Sequence, residues 1–187
     1  MGWDCITVLC SSEPGDQRAL ARRLIVEAAA ELGVRAQVRS EASGQPVISG
    51  SPRPLHVSIT HTRGLVAVAV TGLGAVGLDA EPLRQLDAIP LAAKWFNAAE
   101  VRWLGEVEPG ARSTGFLQLW VRKEAVGKAL GHGLRRHGLR REVPLPQEPE
   151  RMAPVPGLEP LAVTAQLWQG GHLLGIACAI QAPILLR

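Results

Sequence analysis

Two acidic residues in the middle of the chain are spaced for shared chemistry. Asp79 and Glu81 fall in the run AVGLDAE (75–81), which predicts a β-strand. Because strand residues two apart point to the same face, both carboxylates project together. Carboxylates this close repel each other, and a divalent cation between them relieves the repulsion. Taken alone, such a pair is more often two solvated acids at a strand end.

A predicted helix carries a second group of chemically capable residues. In WVRKEAVGK (120–128), Trp120, Glu124 and Lys128 recur every four residues and form a stripe along one helix face. A Glu followed four residues later by a Lys is also an ordinary stabilising pair on helix surfaces. The stripe by itself therefore leaves a structural and a functional interpretation open.

Thr60 and His61 form a third group. The run LHVSIT (55–60) predicts a strand that ends at these residues, shortly before Gly64. A hydroxyl and an imidazole at a strand end could bind phosphate. A single His in such a position is more often structural, so this group also needs its neighbours to be interpreted.

The elements that position these groups alternate between strands and helices. The apolar patterns and turn residues favour α+β architecture in two halves, 1–82 and 83–187, each an antiparallel sheet packed on a long helix. The proline-rich segment 143–160 predicts a loop. Strands are predicted at 4–10, 34–40, 55–60, 65–70 and 75–81 and in a hairpin of 161–168 with 173–180. Helices are predicted at 18–32, capped by Asp16, and at 89–96. A further helix is predicted to begin at the Asn97–Glu100 capping box and to include Val101 and Leu104, and the longest is predicted from Ser113 or Thr114 to about Leu130.

Composition bounds the class of protein. The chain has 187 residues, of which 47% are hydrophobic and 20% charged, as in a folded globular protein. Charge, Gly or Pro interrupts every apolar run, so we expect no membrane span and no signal peptide. Three cysteines form no C-x-x-C pair, which favours a reducing, cytoplasmic location.

The positive charge is concentrated in one segment. Residues 112–141 hold eight Lys and Arg against one Glu, a net charge of +7, whereas the whole chain carries +3. Such a segment is either a solvated basic face or a surface for an acidic partner.

In their order along the chain, the three groups resemble the motifs of the 4′-phosphopantetheinyl transferase superfamily, and especially its longer, pseudo-dimeric branch of the surfactin-synthetase-activating type. The resemblance covers roughly residues 16–134. It implies two similar α/β halves with the active site between them. The motifs are Thr60-His61, Asp79-x-Glu81, Trp120-x-x-Lys123-Glu124-x-x-x-Lys128, Gly131-x-Gly133-Leu134, and Trp95-Phe96-Asn97 with Glu100 and Leu104.

The resemblance implies a holo-acyl-carrier-protein synthase. Such an enzyme transfers 4′-phosphopantetheine from coenzyme A to a serine of an apo acyl or peptidyl carrier protein and releases adenosine 3′,5′-bisphosphate. By similarity, Asp79, Glu81 and Glu124 would bind Mg²⁺, and Glu124 or a water that it orients would be the base. Lys128 would neutralise the departing bisphosphate. The residues expected to contact coenzyme A are His61, Thr60, Gln45, Arg18, Lys123 and Lys128.

Two alternatives remain open at this point. Gln45 stands where the family loop has Lys and the stretch before Arg18 is short, so one alternative is a non-catalytic homologue that only binds a carrier. The other is a metal-dependent nuclease, since nucleases of this kind also carry acidic residues on strands, and the basic segment could contact the phosphates of a nucleic acid. Against the nuclease, Lys128 shares a helix stripe with Glu124, and no aromatic residues interleave the basic stretch for base stacking.

We therefore expect coenzyme A and an acidic carrier protein as partners, no nucleic acid, no membrane, and a monomer. The second part of the basic segment follows the Gly131-x-Gly133 turn. We expect it to face the carrier and to steer association. It consists of Arg135, Arg136, Arg140 and Arg141.

Overall fold

The computed structural model describes residues 3–40, 46–133, 138–146, 151–169 and 171–187. Within these ranges no helix is both long and apolar enough to cross a membrane. The helices are α1 (Gln17–Glu31), α2 (Ala88–Trp95), α3 (Ala98–Glu106) and α4 (Arg112–Ala129). The strands are β1 (Ile6–Ser11), β2 (Gln37–Ser40), β3 (Pro46–Ser49), β4 (His56–Thr62), β5 (Leu65–Thr71), β6 (Val76–Pro82), β7 (Ala153–Pro154), β8 (Ala162–Trp168), β9 (His172–Cys178) and β10 (Ile184–Leu186).

The strands form two four-stranded sheets and a separate β2–β3 hairpin. The first sheet has the order β10-β1-β5-β4, and the second has the order β6-β9-β8-β7. Every pairing is antiparallel except that of β1 with β10, which is parallel. The α+β class predicted from the sequence is confirmed, although β10 makes the first sheet mixed rather than purely antiparallel.

The two faces of the strands pack against different neighbours, and this alternation defines the layers of the fold. On β5, residues 65, 67 and 69 join a central core with β6 and β9, whereas residues 66, 68 and 70 pack against α1. On β6, residues 76, 78 and 80 face the same central core. The apolar residues on the other face of β9 pack with those of α4. The two sheets therefore pack on each other, with α1 outside the first and α4 outside the second.

Two glycines bring α4 unusually close to the second sheet. A Cβ atom on Gly77 of β6 would lie 1.9 Å from the Ala125 carbonyl oxygen, and one on Gly175 of β9 would lie 2.1 Å from that of Val121. No side chain fits at either contact. Since strand residues two apart share a face, the close approach at Gly77 also directs Asp79 and Glu81 toward α4.

Several local signals predicted their elements correctly. Asp16 caps α1 by accepting a hydrogen bond from the Arg18 amide at 2.9 Å. Asn97 and Glu100 form the predicted capping box at the start of α3. The C-terminal hairpin is β8 with β9.

Other predictions were wrong. Neither Ser113 nor Thr114 caps α4, because the helix begins at Arg112; the Ser113 hydroxyl instead accepts a hydrogen bond from the Leu86 amide at 3.1 Å. Segment 143–160 contains the short strand β7, and the strands β3 and β10 were missed. Strand β6 follows β4 and β5 in sequence but pairs with β9 in the second sheet. The division at residue 82 stays a prediction, although β6 and β10 each pair with the other half of the chain.

Candidate active site

Three of the predicted site residues, Thr60, Asp79 and Lys128, meet where the two sheets touch. Strand β4 is the edge of the first sheet and β6 is the edge of the second. The Leu78 amide of β6 donates to the Ser58 hydroxyl of β4 at 2.9 Å, which joins the edges through a side chain. The Thr60 hydroxyl makes a longer contact, 3.4 Å, with Oδ1 of Asp79. The edge of β6 is thereby held between β4 and α4.

Lys128 links α4 to this edge. Its Nζ lies 2.8 Å from Oδ1 of Asp79 and donates to the Leu78 carbonyl, also at 2.8 Å. The neighbouring acid has a different cation, since Nη1 of Arg84 lies 2.6 Å from Oε2 of Glu81. The side chain of Asp79 is 12% exposed and that of Lys128 31% exposed, so their ion pair is only partly screened by water.

The three carboxylates of Asp79, Glu81 and Glu124, here called the carboxylate cluster, repel one another. Burial first, and then the charges of Asp79 and Glu81, raise the pKa of Glu124 to about 7, although Lys128 opposes the shift. Burial also raises the pKa of Asp79, against the effect of Lys128 and with a contribution from Glu81. Protonation is one way to relieve this repulsion, and a bound cation is another.

The donor set fits a hard divalent cation in type. Carboxylate oxygens are the ligands that Mg²⁺ prefers, and Asp79 and Glu124 approach each other from two rigid elements, β6 and α4. In the described part of the chain, however, no three Asp, Glu, His or Cys side chains are grouped closely enough to hold a metal. Lys128 and Arg84 pair with oxygens of Asp79 and Glu81 instead.

A cleft of about 930 Å³ opens beside the cluster. Three of the six residues predicted to contact coenzyme A line it, namely Arg18, His61 and Lys128. The volume is within the usual range for sites that bind small molecules. Its further lining residues are Gln17, Ala21, Arg22, Pro46, Val57, Ser58, Ile59, Val66, Val76, Gly131 and Gly133.

The turn after α4 closes one side of the cleft. The amides of His132 and Gly133 donate to the Gly127 carbonyl at 3.2 and 2.9 Å. A Cβ on Gly127 would lie 2.2 Å from the Gly133 carbonyl oxygen, so only glycine allows the turn to fold back on the helix. Gly131 has φ of +75°, which also favours glycine.

The structure does not bring Lys123 to the cleft. Its side chain is completely buried and its Nζ lies 2.7 Å from Oε1 of Glu100, on the other side of α4 from the carboxylate cluster. The ammonium also donates to the carbonyl of Arg141. This placement corrects the prediction that Lys123 contacts coenzyme A, because a lysine pointing into the core with both acceptors inside the protein cannot reach a ligand in the cleft.

Other predicted residues fall in different places. Thr60 is buried against Asp79 and is not among the residues that line the cleft. Gln45, Arg135 and Arg136 lie outside the described residues. Arg140 is exposed, as a partner surface requires, whereas Arg141 is half-buried.

Arg84 and Arg22 were not singled out from the sequence. Arg84 follows Pro82 in an irregular segment, so no periodicity could connect it with Glu81. Arg22 had a usable signal: it lies four residues after Arg18, which places both on one face of α1 beside the buried Ala21.

Comparison with known proteins agrees with this geometry. The family model of the 4′-phosphopantetheinyl transferase superfamily matches residues 75–171, and the chain belongs to that superfamily. The matched segment contains the carboxylate cluster and Lys128, whereas Arg18 and His61 lie before it. The resemblance stated from the sequence is thus confirmed.

Two curated relatives show how far the likeness extends. The 4′-phosphopantetheinyl transferase gsp of Aneurinibacillus migulanus is 29% identical over 96 residues, which are 51% of this chain and 38% of that protein. The 4′-phosphopantetheinyl transferase psf-1 of Bacillus pumilus is 30% identical over 95 residues, 51% of this chain and 40% of the relative. The match thus covers about half of this chain and about two fifths of each relative.

Proposed function

We propose that this protein transfers 4′-phosphopantetheine from coenzyme A to a serine of an apo carrier protein and releases adenosine 3′,5′-bisphosphate. One observation carries the proposal: Lys128 both pairs with Asp79 and lines the cleft. The carboxylate cluster and a site lined by cations therefore adjoin. Phosphoryl transfer needs this combination, because it is catalysed mainly by positioning and charge neutralisation.

The basic residues of the cleft bind the nucleotide end in this proposal. Arg18 and His61, on α1 and β4, hold phosphate oxygens of coenzyme A. Lys128 stabilises the charge that develops on the departing bisphosphate. Arg22, on the same face of α1 as Arg18, is a further contact for the nucleotide.

The carboxylate cluster holds Mg²⁺ in this proposal, and the ion would neutralise the diphosphate of coenzyme A. To hold the ion, Asp79 and Glu81 would have to give up their ion pairs with Lys128 and Arg84. The serine hydroxyl of the carrier forms a bond to the phosphorus next to pantetheine, and the bond from that phosphorus to the bisphosphate breaks. Glu124, or a water that it orients, accepts the hydroxyl proton.

The direct test is incubation of the protein with coenzyme A, Mg²⁺ and a panel of apo carrier proteins, followed by intact-mass measurement of each carrier. We expect one carrier to gain the mass of a single phosphopantetheine and adenosine 3′,5′-bisphosphate to appear in equal amount. No gain on any carrier, with a characterised transferase active on the same panel, would overturn the proposal.

Two variants connect the activity to the site. Glu124→Gln keeps the shape of the side chain but removes its charge, so transfer should stop while the circular dichroism spectrum is unchanged. Arg102→Gln, on the exposed surface of α3, is the matched control and should retain full activity. Transfer by Glu124→Gln at the normal rate would contradict the role of the cluster.

The carrier assay, together with calorimetry and a DNA-nicking assay, separates the transferase from the two alternatives. A non-catalytic homologue would bind a carrier in calorimetry without modifying it. A nuclease would nick DNA in the presence of Mg²⁺ and leave the carriers unmodified.

A further inference from the structure

A second cavity lies away from the cleft, between α4 and the second sheet. Its volume is about 510 Å³. Arg122 of α4 and Val163 of β8 form its buried part, and Arg151 and Gln181 are exposed at its rim. Apolar side chains make up much of the remaining wall, with Leu145 and Met152 among them. The cavity thus combines apolar walls with a buried cation.

Arg122 is unusual because no acidic side chain among the described residues pairs with its charge. The residue is only 2% exposed. Its Nη1 donates to the Gln118 carbonyl at 3.3 Å, and its Nε has no hydrogen-bond partner. Burial lowers its pKa to about 10, and no acidic side chain of the described residues forms an ion pair with it.

The neighbouring residue shows what is missing. Lys123 is equally buried, but Glu100 neutralises it and the Arg141 carbonyl accepts a further hydrogen bond. Buried charges in proteins are normally paired in this way, because an isolated ion loses its hydration without compensation. Within the described part of the chain Arg122 has no such counter-charge, and the adjoining cavity has room for an anion.

We propose that this cavity binds a small organic carboxylate, held by Arg122, with its apolar part against Leu145, Met152 and Val163. A guanidinium edge matches a carboxylate, which carries one negative charge and two coplanar oxygens. The apolar walls favour a ligand with a hydrocarbon body over an inorganic ion. The positive charge of Arg151 at the rim attracts the same ligand from solution.

The proposal does not depend on the transferase function, since the cavity shares no lining residue with the cleft. It is tested by thermal unfolding of the full chain with hexanoate, acetate, inorganic phosphate and neutral hexanol. Hexanoate at about a hundred times its Kd should raise Tm by roughly 5–10 °C, acetate should act only at higher concentration, and hexanol should have no effect.

Two variants assign the effect to the cavity. Arg122→Met keeps an unbranched apolar stem and removes the charged guanidinium, so the hexanoate shift should disappear; Arg102→Met, on the exposed surface, should keep it. Titration of the wild-type protein with hexanoate should also move the methyl NMR signals of Met152 and Val163, a readout that does not require the variant to fold.

The following results would overturn the proposal: no carboxylate shifts the wild-type Tm, phosphate shifts it as strongly as hexanoate, the Arg122→Met protein responds like wild type, or the two methyl signals do not move.

Discussion

Replacing Lys123 with Met should destabilise the fold while leaving coenzyme A binding unchanged. The ammonium of Lys123 lies 2.7 Å from Oε1 of Glu100, and the two side chains are 0% and 1% exposed. Glu100 also accepts hydrogen bonds from the amides of Asn97 and Val143 at 3.2 and 3.3 Å. The Lys123–Glu100 ion pair and these hydrogen bonds thus connect α3 and the segment after residue 138 to α4.

The expected loss of stability follows from the unpaired carboxylate of Glu100 that the substitution leaves in the core. Removing one partner of a buried ion pair typically costs about 3–5 kcal/mol. In the variant, Glu100 can avoid an unpaired charge by taking up a proton, and protonating a carboxyl group of ordinary pKa at pH 7 costs about 3.7 kcal/mol. We therefore expect a loss of about 3–4 kcal/mol and a fall in Tm of roughly 6–16 °C for a chain of this length.

The cost also depends on pH. Burial raises the pKa of Glu100 and lowers that of Lys123, and each partner opposes the shift of the other. Without Lys123, the pKa of Glu100 in the folded state rises further above its unfolded value. At neutral pH the folded variant then holds a proton that the unfolded chain does not hold, so its stability relative to wild type falls as the pH rises. The penalty should accordingly shrink between pH 7 and pH 5.5.

Urea unfolding followed by Trp fluorescence at both pH values measures these changes. Lys94→Met, at an exposed lysine, is the matched control and should cost less than about 1 kcal/mol. The double variant Lys123→Met/Glu100→Leu should be more stable than Lys123→Met alone. A penalty no larger than that of the control, or one that grows at pH 5.5, would refute the role of the pair. Weaker coenzyme A binding by a folded Lys123→Met protein would show that Lys123 does contribute to binding coenzyme A.

Three further substitutions test the site and the packing that builds it. Arg84→Gln removes the cation that pairs with Oε2 of Glu81, so Mg²⁺ binding measured by calorimetry should tighten by about 1.4- to 5-fold. Unchanged or weaker binding would show that Arg84 does not compete with the ion. Arg18→Gln should weaken coenzyme A binding up to about fivefold, whereas Arg23→Gln on the same helix, outside the cleft, should not. Gly77→Ala should lose about 1–3 kcal/mol or more in urea unfolding, since its methyl group would overlap α4, whereas Gly105→Ala, in open space, should not lose stability.

The sequence predicted most local structure because its signals are local. The Asp16 cap and the capping box at Asn97 each depend on residues within one turn of the helix, and both are present. Strand β10 has no such signal, because three residues near the C-terminus become a strand only by pairing with β1. The sheet membership of β6 was missed for the same reason, since its partner β9 is about ninety residues away in the chain.

The same distinction between local and long-range signals applies to the residues of the candidate site. The stripe of Glu124 and Lys128 follows from helix periodicity, and the shared face of Asp79 and Glu81 follows from strand alternation. Lys123 was misplaced because it is adjacent to Glu124 in sequence, whereas successive helix residues are about 100° apart around the axis. Whether such a residue faces the solvent or the core depends on Glu100, which comes from another helix and whose pairing the sequence did not reveal.

In the proposed function, the charge of the carboxylate cluster favours binding of Mg²⁺ before coenzyme A. When ionised, the carboxylate cluster carries three negative charges, which Lys128 and Arg84 only partly offset. Net negative charge at the cluster opposes the approach of a diphosphate, although Arg18 in the adjoining cleft attracts it. A divalent ion held by Asp79, Glu81 and Glu124 would change the sign of this charge, and the ammonium of Lys128 would then be available to the bisphosphate in the adjoining cleft. Mg²⁺ and coenzyme A should therefore bind with positive coupling, and Lys128→Met should reduce that coupling.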